Sequence, residues 1–172
     1  MKVIALEEHY WDAEVATHFT ERGPEMRNPA MQERLADLGA LRIKEMDEAG
    51  IDLQVLSHGA PALQRIEAET AVPLARRAND RLFQAIQQNK SRFAGFAVLP
   101  STDPRAAADE LERAVTKLGF KGAMVHGLTT MGGQHLFLDD KRFWPIFERA
   151  QALDVPLYMH PAVPHKAVIE AY

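Results

Sequence analysis

A chain of 172 residues is long enough to bury a core, and 47% hydrophobic with 26% charged residues is an ordinary globular composition. A net charge of −4 argues against a nucleic-acid surface or a polybasic membrane patch. Cysteine is absent, which excludes a disulfide framework, a thiolate metal site and a cysteine nucleophile. Any metal must therefore be held by His, Asp and Glu, a donor set that suits Mn or Zn.

The chain opens on Lys2 and then only the short apolar run Val3-Ile4-Ala5-Leu6 before Glu7. That is too brief for the apolar region of a signal peptide. No run approaches the roughly 18 apolar residues of a membrane-spanning helix. The expectation is a soluble, cytoplasmic protein with neither nucleic-acid nor membrane partners.

Val3 to His9 reads as a buried strand ending in two carboxylates and an imidazole. With period-two alternation, Val3, Ala5, Glu7 and His9 are expected on one face and Ile4, Leu6 and Glu8 on the other. Glu7-x-His9 at a strand end can bring two donors to one point, a candidate metal clamp. The bland alternative is a solvated strand end. Glu8 is expected to face the helices and is not counted as a ligand.

Tyr10 to Met31 reads as a long polar connection, with Gly23-Pro24 and Asn28-Pro29 as breakers and with Trp11, His18 and Phe19 inside it. A loop of that length either covers a site or is a surface excursion. Leu35, Leu38, Ile43, Met46 and Ala49 then keep helical spacing, with a bend expected near Gly39 and a stop at Gly50. Ile51 to Ser57 is the second expected strand, followed at once by His58-Gly59.

Pro73 suits the first position of the next helix, whose apolar stripe is Leu74, Ala78, Leu82 and Ile86. Arg76, Arg77, Asp80 and Arg81 take its wet side. Phe93 to Leu99 is the third expected strand. Asp103-Pro104 is a helix start, with Asp as cap and Pro at the first turn. Its stripe runs Ala107, Leu111, Val115, Leu118, and Gly119 ends it. Gly122 to Val125 is the fourth expected strand, with His126 directly after it and a loop carrying Gly127, Gly132 and Gly133. A turn at Asp139-Asp140 leads to a helix from Pro145. Val155 to Met159 is the fifth expected strand, and His160-Pro161 follows.

This alternation of strand and helix implies parallel strands with crossover helices, either an open doubly wound sheet or a (β/α) barrel. No Gly-x-Gly-x-x-Gly follows any strand, which counts against a dinucleotide fold. Polar groups instead follow four strands: Glu7 and His9, His58, His126 and His160. Chemistry spread over several strand ends is the habit of the (β/α)8 TIM barrel. Such a barrel needs about 250 residues. The expected fold class is therefore α/β, with residues 1–172 forming the first five units, the N-terminal part, of a single metal-dependent barrel domain. A short five-stranded open sheet is the alternative.

A catalytic metal site wants about three protein ligands and one open position. Glu7, His9 and His160 supply three. An ion there could hold a substrate carboxylate and a phenol oxygen, or lower the pKa of a bound water. His58 and His126 are candidates for substrate contact, His126 the better one because its loop is glycine-rich. His18, His135 and His165 are expected at the surface.

Three segments resemble a known family: Ala5-Leu6-Glu7-Glu8-His9, Gly119-Phe120-x-Gly122-Ala123, and Asp154-Val155-Pro156-Leu157-Tyr158-Met159-His160-Pro161. They are similar to the amidohydrolase superfamily, in particular its ACMS-decarboxylase-like branch, which includes γ-resorcylate and 2,3-dihydroxybenzoate decarboxylases. The resemblance runs over the whole chain. It implies a (β/α)8 barrel with one divalent metal at its C-terminal face, held by Glu7 and His9 from strand one and His160 from strand five. It also implies a His after strand six and, after strand eight, an Asp that is both a metal ligand and the acid-base group, both beyond Tyr172. Aromatic decarboxylases of this branch place Asn where this chain has His126.

The activity implied is metal-dependent, non-oxidative decarboxylation of a small aromatic hydroxycarboxylic acid by a homo-oligomer. The alternatives are a metal-dependent hydrolase and a non-catalytic half-barrel that serves as a partner module.

Overall fold

The computed structural model describes residues 1–19 and 28–161. Strand β1 (Ile4–Tyr10) is followed by helices α1 (Ala13–Ala16), α2 (Pro29–Ala36) and α3 (Ala40–Ala49), then β2 (Leu53–His58). Next come α4 (Ala68–Gln88), β3 (Phe93–Gly95), α5 (Pro104–Leu118) and β4 (Ala123–His126). A hairpin of β5 (Leu128–Met131) and β6 (Gln134–Phe137) precedes a 3₁₀ turn, α6 (Trp144–Leu153) and β7 (Leu157–His160).

β1 pairs in parallel with β2, β2 with β3, and β4 with β7. Ala97, just past β3, bridges in parallel to Ala123 of β4. Its N–H donates to the Gly122 carbonyl at 2.9 Å, and its carbonyl accepts the Met124 N–H at 3.2 Å. The five parallel strands thus follow one another as β1-β2-β3-β4-β7, each joined to the next through helices, as the strand–helix alternation predicts.

Alternate residues of each strand enter two separate apolar layers. Leu56 and Val125 pack outward with Leu82, Leu111, Phe120 and Ile146 of the helical side. Val55, Phe96 and Met124 pack inward, with Leu53 and Tyr158 against them. Each fully buried leucine in the outer layer contributes about 2 kcal/mol. The inner layer lies beneath the strand ends that carry the polar groups.

Several boundaries differ from the sequence reading for physical reasons. The expected loop from Tyr10 contains α1, capped by Asp12, whose side chain accepts from Glu14 N and Val15 N. Asn28-Pro29 is a helix start, with Asn28 accepting from Ala30 N and Pro29 in the first turn. The Gly23-Pro24 breaker lies outside the described residues. The expected bend near Gly39 is a full break, because Asp37 Oδ1 takes the N–H groups of Gly39 and Arg42.

Helix α4 starts five residues before Pro73, which sits inside it and forfeits one helical hydrogen bond. The third strand stops at Gly95. Beyond it the Asn79 carboxamide takes both backbone groups of Val98, donating to its carbonyl and accepting from its N–H, each at 3.0 Å. The glycine-rich loop after His126 is the β5–β6 hairpin, turned by Gly132 and Gly133 at φ 54° and 75° and anchored by buried Leu128 and Leu136.

Candidate metal centre

The first two donors come from β1, and its ladder is irregular where they sit. Ala5 pairs with Gln54 and Glu8 with Leu56, so three steps on β1 oppose two on β2. The extra residue makes a β-bulge. Glu7 takes the left-handed backbone region at φ 67°, a conformation that costs a non-glycine residue about 1–2 kcal/mol. The expected sharing of one face by Ala5 and His9 is therefore corrected. Ala5 and Glu8 lie with Gln54 and Leu56 on the helical side, and His9 lies with Ser57 on the inner side. Regular alternation from Ala5 would leave Glu7 and His9 on the helical side, and the shift of register carries both to the inner side.

The third donor comes from the far end of the parallel layer. On β7, Tyr158 and His160 lie in register with Met124 and His126 of β4, all on the inner face. His160 Nε2 is 3.1 Å from Glu7 Oε1 and 3.3 Å from His9 Nε2. The ligand-type atoms of Glu7, His9 and His160 all fall within 4.8 Å of one another.

Further contacts hold each of these side chains. The His160 Nδ1–H donates to the Pro161 carbonyl at 2.7 Å, which turns the Nε2 lone pair toward Glu7 and His9. His9 Nδ1 is 3.3 Å from Ser57 Oγ. The Tyr158 hydroxyl donates to Glu7 Oε2 at 3.0 Å. Behind β1, the buried Arg42 donates from Nη2 to the His9 carbonyl at 2.8 Å and from Nε to the Asp37 carbonyl at 2.9 Å.

This donor set fits a divalent cation. With its Nδ1–H donated to the Pro161 carbonyl, the imidazole form of His160 meets the Glu7 oxygen lone pair to lone pair. A cation between them relieves that conflict and uses His9 as well. Burial, and then His160, lower the His9 pKa, partly countered by Glu7, which favours the neutral imidazole that a metal needs. The Glu7 carboxylate and burial raise the Tyr158 hydroxyl pKa, so it stays a donor.

His126 is buried at 2% exposure, with its ring edge-on to His160 at 5.1 Å between centroids. Neither ring nitrogen has a hydrogen-bond partner of normal geometry among the described residues. The His58 carbonyl favours protonation of this ring only weakly. Burial, with the neighbouring histidines, pushes its pKa down to about 3. Its backbone is held by Gln64, which accepts from the His126 N–H and donates to the His126 carbonyl at 2.7 Å.

His58 is also buried, but both its ring nitrogens are engaged. Nδ1 lies 2.8 Å from the Gly59 carbonyl, and Nε2 accepts from the Asp12 N–H at 3.2 Å. Burial pushes its pKa down to about 4. His18 and His135 are exposed, and His165 lies outside the described residues.

The sequence reading missed Tyr158, Ser57, Arg42 and Gln64. A signal existed for Tyr158, two residues before His160 and hence on the same strand face. Ser57 is tied to His9 by strand register, and Arg42 and Gln64 act on backbone groups far away in sequence.

The sequence profile of the amidohydrolase family matches residues 7–171. The chain belongs to the amidohydrolase family. Among curated relatives of this amidohydrolase is a γ-resorcylate decarboxylase of Polaromonas sp. (strain JS666 / ATCC BAA-500). It is 44% identical over 164 residues, which cover 94% of this chain and 50% of the relative. The chain thus spans about half the length of the curated relatives it matches.

Among solved structures, a dihydroxybenzoic acid decarboxylase from Polaromonas sp. JS666, with bound manganese and the inhibitor 2-nitroresorcinol, superposes with a TM-score of 0.86 at 40% identity. The match covers 100% of this chain and 53% of that one. A 2,6-dihydroxybenzoate decarboxylase complexed with 2,6-dihydroxybenzoate gives a TM-score of 0.87 at 38% identity, covering 100% of this chain and 54% of that one. The fold is accordingly part of a (β/α) barrel of the amidohydrolase type. Among the described residues, no helix is long and apolar enough to cross a membrane.

Proposed function

We propose that the protein containing this chain is a metal-dependent, non-oxidative decarboxylase of a hydroxybenzoate, and that Glu7, His9 and His160 hold its divalent metal. The observation that carries the proposal is the convergence of those three side chains from β1 and β7, with donor atoms within 4.8 Å. The names of the relatives, hydroxybenzoate decarboxylases that include a manganese-bound one, support the reaction and favour Mn, with Zn compatible with the same donors.

A divalent ion at this point would supply a Lewis-acid centre that orients a carboxylate and an adjacent phenolic oxygen. The chain's own residues do the rest of the positioning. Pro161 and Ser57 orient the two imidazoles, and Arg42 fixes the backbone of His9. His126, whose ring nitrogens have no hydrogen-bond partner of normal geometry among the described residues and whose ring lies beside His160, is assigned to contact a substrate oxygen. His58, whose nitrogens serve the main chain, is assigned to holding the β2 end.

The reaction places a proton on the ring carbon that bears the carboxylate, and the C–C bond then breaks to release CO2. As the resemblance implies, the proton donor is an Asp beyond Tyr172, so activity belongs to the complete barrel, of which residues 1–172 form the first five units. A homo-oligomer is part of the same reading.

The test is direct. The complete protein, supplied with Mn or Zn, is incubated with 2,6-dihydroxybenzoate and related hydroxybenzoates, and CO2 and the decarboxylated phenol are measured. Stoichiometric release of both is expected. Metal-loaded protein that releases CO2 from none of them would overturn the proposal.

A further inference from the structure

The two oxygens of the Glu7 carboxylate have different neighbours. Oε1 lies with His160 Nε2 at 3.1 Å, inside the donor cluster. Oε2 accepts the Tyr158 hydroxyl at 3.0 Å. β1 and β7 are not paired with each other, so no backbone ladder sets the Glu7 carboxylate against β7. Glu7 also sits in a bulge with a left-handed backbone and a 39% exposed side chain. Its backbone and burial alone leave its carboxylate poorly constrained.

Tyr158 is well placed to constrain it. Its ring stacks on Phe96, with centroids 6.1 Å apart and planes at 29°. The same ring packs on the inner layer of Val55, Phe96 and Met124. The hydroxyl therefore projects from a fixed ring, whereas the carboxylate it meets is on a strained and exposed segment.

We infer that Tyr158 is a positioning residue for metal binding: its hydroxyl holds Glu7 Oε2 and leaves Oε1 as the single oxygen offered to the ion. This rests on the reading of Glu7, His9 and His160 as the metal ligands. An outer partner of a metal-bound carboxylate typically governs affinity by about 10–100-fold. The chemistry requires only the hydroxyl, since the ring is kept by Phe.

The experiment is metal titration of the complete protein, stripped of metal, with Mn followed by calorimetry or by the loss of free Mn signal in electron paramagnetic resonance. Wild type, Tyr158→Phe and Glu7→Gln are compared. Tyr158→Phe keeps the ring and its stacking. Its Mn dissociation constant is expected to rise by about 10–100-fold with an unchanged thermal midpoint of the metal-free protein. Tyr158→Phe with wild-type affinity would overturn the assignment of Tyr158 while leaving the ligand set intact. Weakened affinity with an equally lowered metal-free midpoint would also overturn it, since the hydroxyl would then serve the fold. Wild type that binds no Mn or Zn, or Glu7→Gln that binds as wild type does, would instead remove the metal reading beneath it.

Discussion

His160 Nε2 stands 3.1 Å from Glu7 Oε1, although their strands lie at opposite ends of the five-stranded parallel layer and share no backbone pairing. Side chains alone close that gap. The candidate centre is thus the point where the two ends of the layer meet, and its integrity reports on the arrangement of both.

Removing either end should remove the metal. In the complete protein, His160→Ala is expected to lose both metal retention and turnover, because it removes the imidazole that faces both Glu7 and His9 and joins the β7 end to the β1 end. Metal analysis and a CO2 assay check this. Full activity with normal metal content would take His160 out of the site. Dialysis of wild type against a chelator should give the same loss, reversed by Mn.

His126 should separate from the metal. Its ring touches His160 but contributes no donor to the three-residue cluster. His126→Ala is expected to retain normal metal content and to lose about 10–100-fold in kcat/KM, the worth of one hydrogen bond of about 1–3 kcal/mol to a substrate oxygen. Loss of metal in this variant would make His126 part of the metal site instead.

Much of this arrangement was legible in the sequence, and the illegible parts share a cause. Apolar runs identified all five parallel strands, four of them ending in His or Glu-x-His, because burial and period are local. The bulge at Glu7 was not legible: alternation from Val3 gives the wrong face to Ala5, and only the pairing of Ala5 with Gln54 and of Glu8 with Leu56 reveals the extra residue. The early end of the third strand was hidden for the same reason, since Asn79 acts on Val98 from another element. Pro73 imitated a helix start although the helix begins at Ala68. The β5–β6 hairpin read as a loop because its strands are short and its glycines conspicuous.

Asp12 should confer acid sensitivity. Its side chain is only 4% exposed, caps α1 and receives a two-pronged contact from Arg81, Nε to Oδ2 at 2.6 Å and Nη2 to Oδ1 at 2.7 Å. Burial raises its pKa, but the Arg81 hydrogen bonds, the Val15 N–H and the Arg81 charge more than offset this, and the net shift is downward. A depressed carboxylate contributes stability that is present above its unfolded pKa of about 4 and is lost as pH falls through the lower folded value. Asp12→Ala is expected to cost about 1–2 kcal/mol at pH 7, chiefly the cap. The difference from wild type should shrink below about pH 4. Denaturant unfolding at several pH values measures it, and a difference that stays constant down to pH 2 would contradict this account.

Gly122 should tolerate no side chain. It sits at φ 140°, and a Cβ there would lie 2.2 Å from the Pro156 carbonyl oxygen. That oxygen accepts the Ala123 N–H at 3.3 Å, at the start of the β4–β7 ladder that ends at His126 and His160. The neighbour is backbone and cannot swing aside, so Gly122→Ala must push the two strands apart or unseat Pro156. The expected cost is about 2–4 kcal/mol, from strain at an unfavourable φ and a broken close approach. Because the displaced ladder carries His160, metal affinity should fall with stability, unlike in Tyr158→Phe, where affinity alone falls. Thermal unfolding and Mn titration on the same samples distinguish the two. An unchanged midpoint for Gly122→Ala would mean that β7 is free to shift relative to β4.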